Sequence, residues 1–92
     1  MQIKLFANLR AFAKDGRVHL TLPHGAAVVD ALEHLFALVP GLAEHVVDAE
    51  SGELLPYVNI MLRGRLIRDL NGLQTPVTDS DELAIFPPIA GG

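Results

Sequence analysis

Val28-Val29-Asp30-Ala31-Leu32-Glu33-His34-Leu35-Phe36-Ala37-Leu38-Val39 decides the fold, because its apolar residues recur at helical rather than strand spacing. Val28, Leu32, Leu35, Phe36 and Val39 fall at i, i+4, i+7, i+8 and i+11, the stripe of a helix that packs on one face. Pro40-Gly41 stops it, since proline cannot continue the ladder of backbone bonds. Asp30 and Glu33 lie near the N-terminal end, where the helix dipole favours negative charge, while Ala27 stands where a Ser or Thr cap is expected. Leu42 and Val46 read as a short second helical piece, followed by the loop Asp48-Ala49-Glu50-Ser51-Gly52-Glu53.

On either side of this helix the period changes to two. Residues 2–6 put Ile3 and Leu5 on one face and Gln2, Lys4 and Phe6 on the other, and residues 17–22 set Val18, Leu20 and Leu22 against Arg17, His19 and Thr21. The link between them carries Leu9, Phe12 and Ala13 at helical spacing and ends in the turn signal Asp15-Gly16. After the helix, residues 57–62 alternate Val58, Ile60 and Leu62 with Asn59, Met61 and Arg63. Gly64 turns the chain into a short strand over residues 65–68, and Asn71-Gly72 marks another turn. Thr78-Asp79-Ser80-Asp81 then leads into Glu82-Leu83-Ala84-Ile85-Phe86, with Leu83 and Ile85 opposed to Phe86. Strand, strand, helix, strand, short strand, strand describes an α+β sheet with its main helix packed across one face. If Ile3, Leu5, Val58, Ile60, Leu83 and Ile85 face the helix, alternation leaves Phe6, Met61 and Phe86 on the opposite face as a candidate partner surface.

The chain has 92 residues, no Cys, 50% hydrophobic residues and a formal charge of −4, which fits one domain and excludes a multidomain enzyme. Without Cys there is no disulfide framework, thiolate zinc site or cysteine nucleophile. The acidic balance argues against nucleic-acid binding. Apolar runs are broken well before the roughly 18 residues of a membrane span, and no signal-peptide pattern opens the chain, so a soluble, cytoplasmic protein is expected. His19, His24, His34 and His45 have no tight ligand spacing, and no metal site is expected. Asp79, Asp81 and Glu82 read as turn residues rather than a cation site. Arg63, Arg65 and Arg68 read as a solvated hairpin before a docking site. A small chain buries only about 60–65% of its unfolded surface, so a half-hydrophobic composition predicts leftover apolar surface and a partner to cover it.

The end of the chain, Pro87-Pro88-Ile89-Ala90-Gly91-Gly92, follows the last strand directly. Two prolines cannot donate to a ladder and favour an extended path, so the domain is expected over residues 1–86 with a flexible tail over 87–92. Two terminal glycines occur by chance in roughly half a per cent of chains. Lacking side chains, Gly91 and Gly92 suit a narrow channel in another protein, and six extended residues reach on the order of 20 Å.

The stretch Asp79-Ser80-Asp81-Glu82-Leu83-Ala84-Ile85-Phe86-Pro87-Pro88-Ile89-Ala90-Gly91-Gly92 resembles the ending of the MoaD/ThiS superfamily of ubiquitin-like sulfur carriers. That superfamily includes the small subunit of molybdopterin synthase, the thiamine sulfur carrier and the small archaeal modifiers. Lys4-Leu5-Phe6-Ala7, Val29-Asp30-Ala31-Leu32 and Val58-Asn59-Ile60 also fit. The resemblance implies a β-grasp fold and a carrier rather than an enzyme. It further implies that a ubiquitin-activating-type adenylyltransferase uses ATP to activate the Gly92 carboxylate, which a sulfur donor converts to a thiocarboxylate. No cofactor is then bound by the chain itself. Residue by residue, Gly91 and Gly92 carry over as the reactive tail, Pro87 and Pro88 with Ile89 and Ala90 as its stem, and Phe6 and Phe86 as aromatic partner contacts. Leu62 is the nearest match for a third contact by resemblance, whereas alternation prefers Met61. Ser80 and Ala27 depart from the family's usual Gly and Thr or Ser. The leading acceptor is the large subunit of molybdopterin synthase. The alternatives are conjugation to lysines through Gly92, or sulfur supply for cysteine or thiamine synthesis, and Ile67-Arg68-Asp69-Leu70-Asn71-Gly72-Leu73-Gln74-Thr75 resembles the cysteine-synthesis carriers.

Overall fold

The computed structural model describes residues 1–87. Five strands, β1 (Gln2–Leu5), β2 (Arg17–His19), β3 (Asn59–Leu62), β4 (Arg65–Leu66) and β5 (Glu82–Phe86), form one sheet in the order β2-β1-β5-β3-β4, and one helix, α1 (Val28–Leu38), lies between β2 and β3 in sequence. β1 and β5 run parallel at its centre and all other pairs are antiparallel.

The helix forms where the apolar stripe predicts it and buries Val28, Ala31, Leu32 and Leu35. Each fully buried Leu or Val is worth about 1.5–3 kcal/mol of transfer free energy, so this stripe, more than propensity, holds an 11-residue helix in place. Ala27 is the N-cap and has no side-chain oxygen to offer. Instead the Asp30 carboxylate accepts the Ala27 N–H at 2.8 Å, half of a capping box. Backbone bonds from Val28 to the Thr75 carbonyl and from Val77 to the Ala26 carbonyl then clip the helix start to the segment that leads into β5. Val39, preceding Pro40, leaves the helical region at φ −125° and ψ 84°.

Ile3, Leu5, Ile60, Leu62, Leu83 and Ile85 supply the sheet's side of the core, each at most 2% exposed. Beyond the sheet, Leu42 and Val46 flank a 3₁₀ turn (Ala43–His45) and are both buried, as their spacing suggests. The strand read over residues 17–22 pairs with β1 only through His19. Leu20 and Met1 still exchange both bonds in the same register, the Leu20 N–H to the Met1 carbonyl and the Met1 ammonium to the Leu20 carbonyl, and only beyond them does the Asp79 carboxylate take the Leu22 N–H in place of a strand partner. Residues 67–75 fold as two 3₁₀ turns, Ile67–Asp69 and Gly72–Gln74, rather than as an extension of β4. Arg63 and Gly64, at φ 51° and 79°, make a two-residue hairpin between β3 and β4 with Leu62 facing Arg65.

Candidate functional site

β5 ends at Phe86, immediately before the proline-rich tail. Parallel pairing sets Leu5 beside Ile85, and the Phe6 N–H donates to the Ile85 carbonyl at 3.1 Å, so both phenylalanines leave the sheet side by side. Their rings stack with centroids 4.3 Å apart and planes 13° from parallel. Both are half-buried and lie on the face away from the core. Next to them run Ala84 on β5, Met61 on β3 and Leu66 on β4, joined across the strands as Ala84 opposite Met61 and Met61 opposite Leu66. The result is a continuous apolar band on the outer face of the sheet at the root of the tail.

Of the sequence candidates, Phe6, Met61 and Phe86 are brought together on this face. Leu62 is not: it is 0% exposed, pairs with Leu83 and belongs to the core, whereas Met61 lies on the outer face. A strand residue adjacent to an outward one points inward, which is why Met61 and Leu62 fall on opposite faces. Leu66 and Ala84 join the band without having stood out in the sequence. The signal for Leu66 is the Arg63-Gly64 pair, because a two-residue turn fixes the register that puts Leu66 opposite Met61. Tyr57, 73% exposed, is a further addition, although alternation places it on the side of Asn59 and Met61. It lines a groove of about 270 Å³ with Asn8, Leu9, His45, Val58 and Pro87, at the start of the tail. Pro88, Ile89, Ala90, Gly91 and Gly92, most of the expected stem and the reactive end, lie outside the described residues.

Charges around the band are largely used to hold the fold. Arg63 binds Asp81 bidentately at 2.9 and 2.8 Å, and that guanidinium, with the Thr78 N–H, holds the Asp81 carboxyl below its usual range. Arg68 donates to the Val58 carbonyl at 3.0 Å and to the Asn59 side chain, which sits across from Phe86. Two of the three hairpin arginines are therefore engaged internally. Asp79 accepts the Leu22 N–H and the Met1 ammonium, and these donors lower its carboxyl too. Among the described residues no three His, Cys, Asp or Glu side chains gather as a metal site. His34 bonds the Asp30 carbonyl, and His45 packs on Phe12 with centroids 5.3 Å apart. Among the described residues no helix is long and apolar enough to cross a membrane.

A mixed five-stranded sheet crossed by one helix, with a strand running out beside a stacked aromatic pair, is the ubiquitin-like β-grasp. Comparison with known proteins agrees. Residues 3–92 match the model of the ThiS family, and the chain belongs to that family. It is 34% identical over 92 residues to small archaeal modifier protein 3 of Haloferax volcanii, covering 100% of this chain and 98% of the relative. Sulfur carrier protein CysO of Mycobacterium tuberculosis is 36% identical over 67 residues, 72% of this chain and 69% of that protein. The crystal structure of SAMP1 from Haloferax volcanii superposes with a TM-score of 0.86 at 34% identity, covering 99% of this chain and 97% of that one. Members of this group are small ubiquitin-like carriers and modifiers.

Proposed function

We propose that the chain is a sulfur carrier whose terminal Gly92 carboxylate is the working group. A carboxylate is a poor electrophile. Attack of its oxygen on the α-phosphate of ATP, with loss of pyrophosphate, gives an acyl adenylate, and hydrosulfide then adds to the carbonyl and displaces AMP, leaving a thiocarboxylate and a proton. The chain supplies no catalytic side chain for this. A ubiquitin-activating-type adenylyltransferase does the chemistry and holds the ATP, while Gly91 and Gly92 give the unhindered end and Pro87, Pro88, Ile89 and Ala90 the stem that reaches it. Phe6, Phe86 and Met61 form the docking face. The observation that carries this reading is the stacked Phe6–Phe86 pair, within an apolar band, at the point where β5 hands over to the tail.

The acceptor we propose is the large subunit of molybdopterin synthase, docked on that band. A second reading is protein conjugation, in which a lysine amine attacks the activated Gly92. It is favoured by the full-length similarity to a protein named as a small archaeal modifier. Intact-mass analysis of the chain from its native cell separates the two. Replacement of one oxygen by sulfur at Gly92, with co-purification of a synthase large subunit, is the expected result. A ladder of lysine-linked conjugates selects the modifier. An unmodified tail in the presence of the activating enzyme, ATP and a sulfur donor refutes both.

A further inference from the structure

The outer sheet face carries, beside Phe6, a corner where three cations meet. Lys4, Phe6, Arg10, Asp15, Gly16 and Arg17 line a cavity of about 170 Å³. The residues come from β1, from the 3₁₀ turn Ala7–Phe12 and from the start of β2, so no sequence spacing announces the cluster. Register places Arg17 directly opposite Lys4. Like charges in that position repel and weaken a sheet, which makes the arrangement costly unless something outside the fold uses it. Lys4 has partial relief from Glu82 at 3.4 Å, whereas Arg10 and Arg17 form no ion pair among the described residues. The corner is also built around Gly16. At φ +66° this residue lies so close to its neighbours that a Cβ would fall 2.8 Å from the Leu5 carbonyl oxygen and 3.1 Å from Arg10 Cγ. Any side chain here would clash with the Leu5 carbonyl and press on the Arg10 side chain.

The rest of the molecule is acidic on balance, with Lys14 and the hairpin arginines Arg63, Arg65 and Arg68 its other cationic side chains. Between Val18 and Leu62 the sequence has no Lys or Arg and six carboxylates, Asp30, Glu33, Glu44, Asp48, Glu50 and Glu53. Asp30 and Glu33 sit on α1, which covers the opposite side of the sheet. A chain of net charge −4 thus gathers three cations at one edge of its apolar band, with Asp15 and Glu82 as the neighbouring carboxylates and a positive balance left over.

The geometry points to Arg10, Arg17 and Lys4 as a carboxylate-reading corner that orients the activating enzyme on the sheet face, through acidic side chains on that enzyme's docking surface. This rests on the carrier reading above and names the chemistry of the partner at the same site. The activating enzyme is the occupant because every use of Gly92 begins with it. Complementary charge acts mainly on encounter and orientation, so the corner belongs in the KM for the carrier rather than in kcat.

The test is steady-state adenylation of the full chain by the activating enzyme of the same genome, read as pyrophosphate release. Reversing both arginines, Arg10→Glu with Arg17→Glu, is expected to raise the KM for the carrier by about tenfold or more with kcat unchanged. Arg10→Lys with Arg17→Lys keeps the KM near wild type. Raising salt from about 0.05 to 0.5 M, which shortens the Debye length severalfold, raises the wild-type KM but not that of the reversed variant. Thermal melts show the reversed variant folded, since a carboxylate opposite Lys4 replaces a repulsion by an attraction. A KM unchanged by reversal, while Phe86→Ala raises it, overturns the corner and leaves the carrier reading standing. A wild-type chain that is not adenylated at all overturns both.

Discussion

Replacing Leu62 by alanine removes a side chain that is 0% exposed and faces Leu83 in the centre of the sheet. Leucine-to-alanine changes at such sites cost about 2–5 kcal/mol, combining lost transfer free energy with the cavity left behind. Against a total of roughly 5–15 kcal/mol for a domain of this kind, that is a large fraction, and it corresponds to a fall in Tm of roughly 8–40 °C. Met61→Ala, one residue away, trims a half-buried side chain on the outer face and is expected to cost only about 1 kcal/mol. The functional effects should be reversed in order. At a temperature where both variants are folded, Met61→Ala raises the KM for the partner and Leu62→Ala does not. Urea unfolding followed by far-UV circular dichroism gives the stabilities, and adenylation kinetics give the KM values. If Leu62→Ala unfolds within about 1 kcal/mol of wild type while Met61→Ala loses more than about 3 kcal/mol, β3 is out of register by one residue and the assignment of the docking face fails.

Gly16→Ala combines a positive φ with a Cβ 2.8 Å from a backbone oxygen, and should lose about 1–3 kcal/mol in the same urea assay. Asp81, held below its usual range first by the Arg63 hydrogen bond, has a folded pKa under its unfolded value of about 3.9. Its contribution is therefore present above about pH 4 and is lost as the pH falls further, because the unfolded chain takes up the proton first. Asp81→Asn should flatten the acid limb of the stability profile below about pH 4, and an unchanged limb would show that the Arg63 pair does not set it. Removing Gly92 should abolish adenylation and leave the thermal melt unchanged, since the inward residues of β5 end at Ile85; a lowered Tm would mean that the tail contributes to the core.

The order of elements is legible because each follows from a period. The 3.6-residue stripe from Val28 marks α1, and alternation in residues 2–6, 57–62 and 82–86 marks the three central strands and which of their side chains face inward. The short helical piece after Pro40 is legible in the same way, from Leu42 and Val46. Edges are less so. Pairing along β2 runs out at Met1, just before β1, and the next inward residue, Leu22, gives its N–H to Asp79, a partner distant in sequence that no local pattern reports. The role of the hairpin arginines is similarly hidden: Arg63 finds Asp81 across 18 residues of chain.

What the sequence determined by itself was periodic or terminal: which faces of the helix and strands are apolar, that no thiol chemistry is available, and that the chain ends in Pro-Pro-Ile-Ala-Gly-Gly. What only the tertiary structure decided was juxtaposition. Parallel pairing of the first and last strands stacks Phe6 on Phe86, hairpin register adds Leu66 to Met61, and Leu62 turns inward against Leu83. The pairing of β1 with β2, and the fold of the turn between them, brings Arg10, Arg17 and Lys4 to one cavity. The reason is physical: side-chain period is a local property of the backbone, whereas register and strand order are set by hydrogen bonds between segments far apart in the chain.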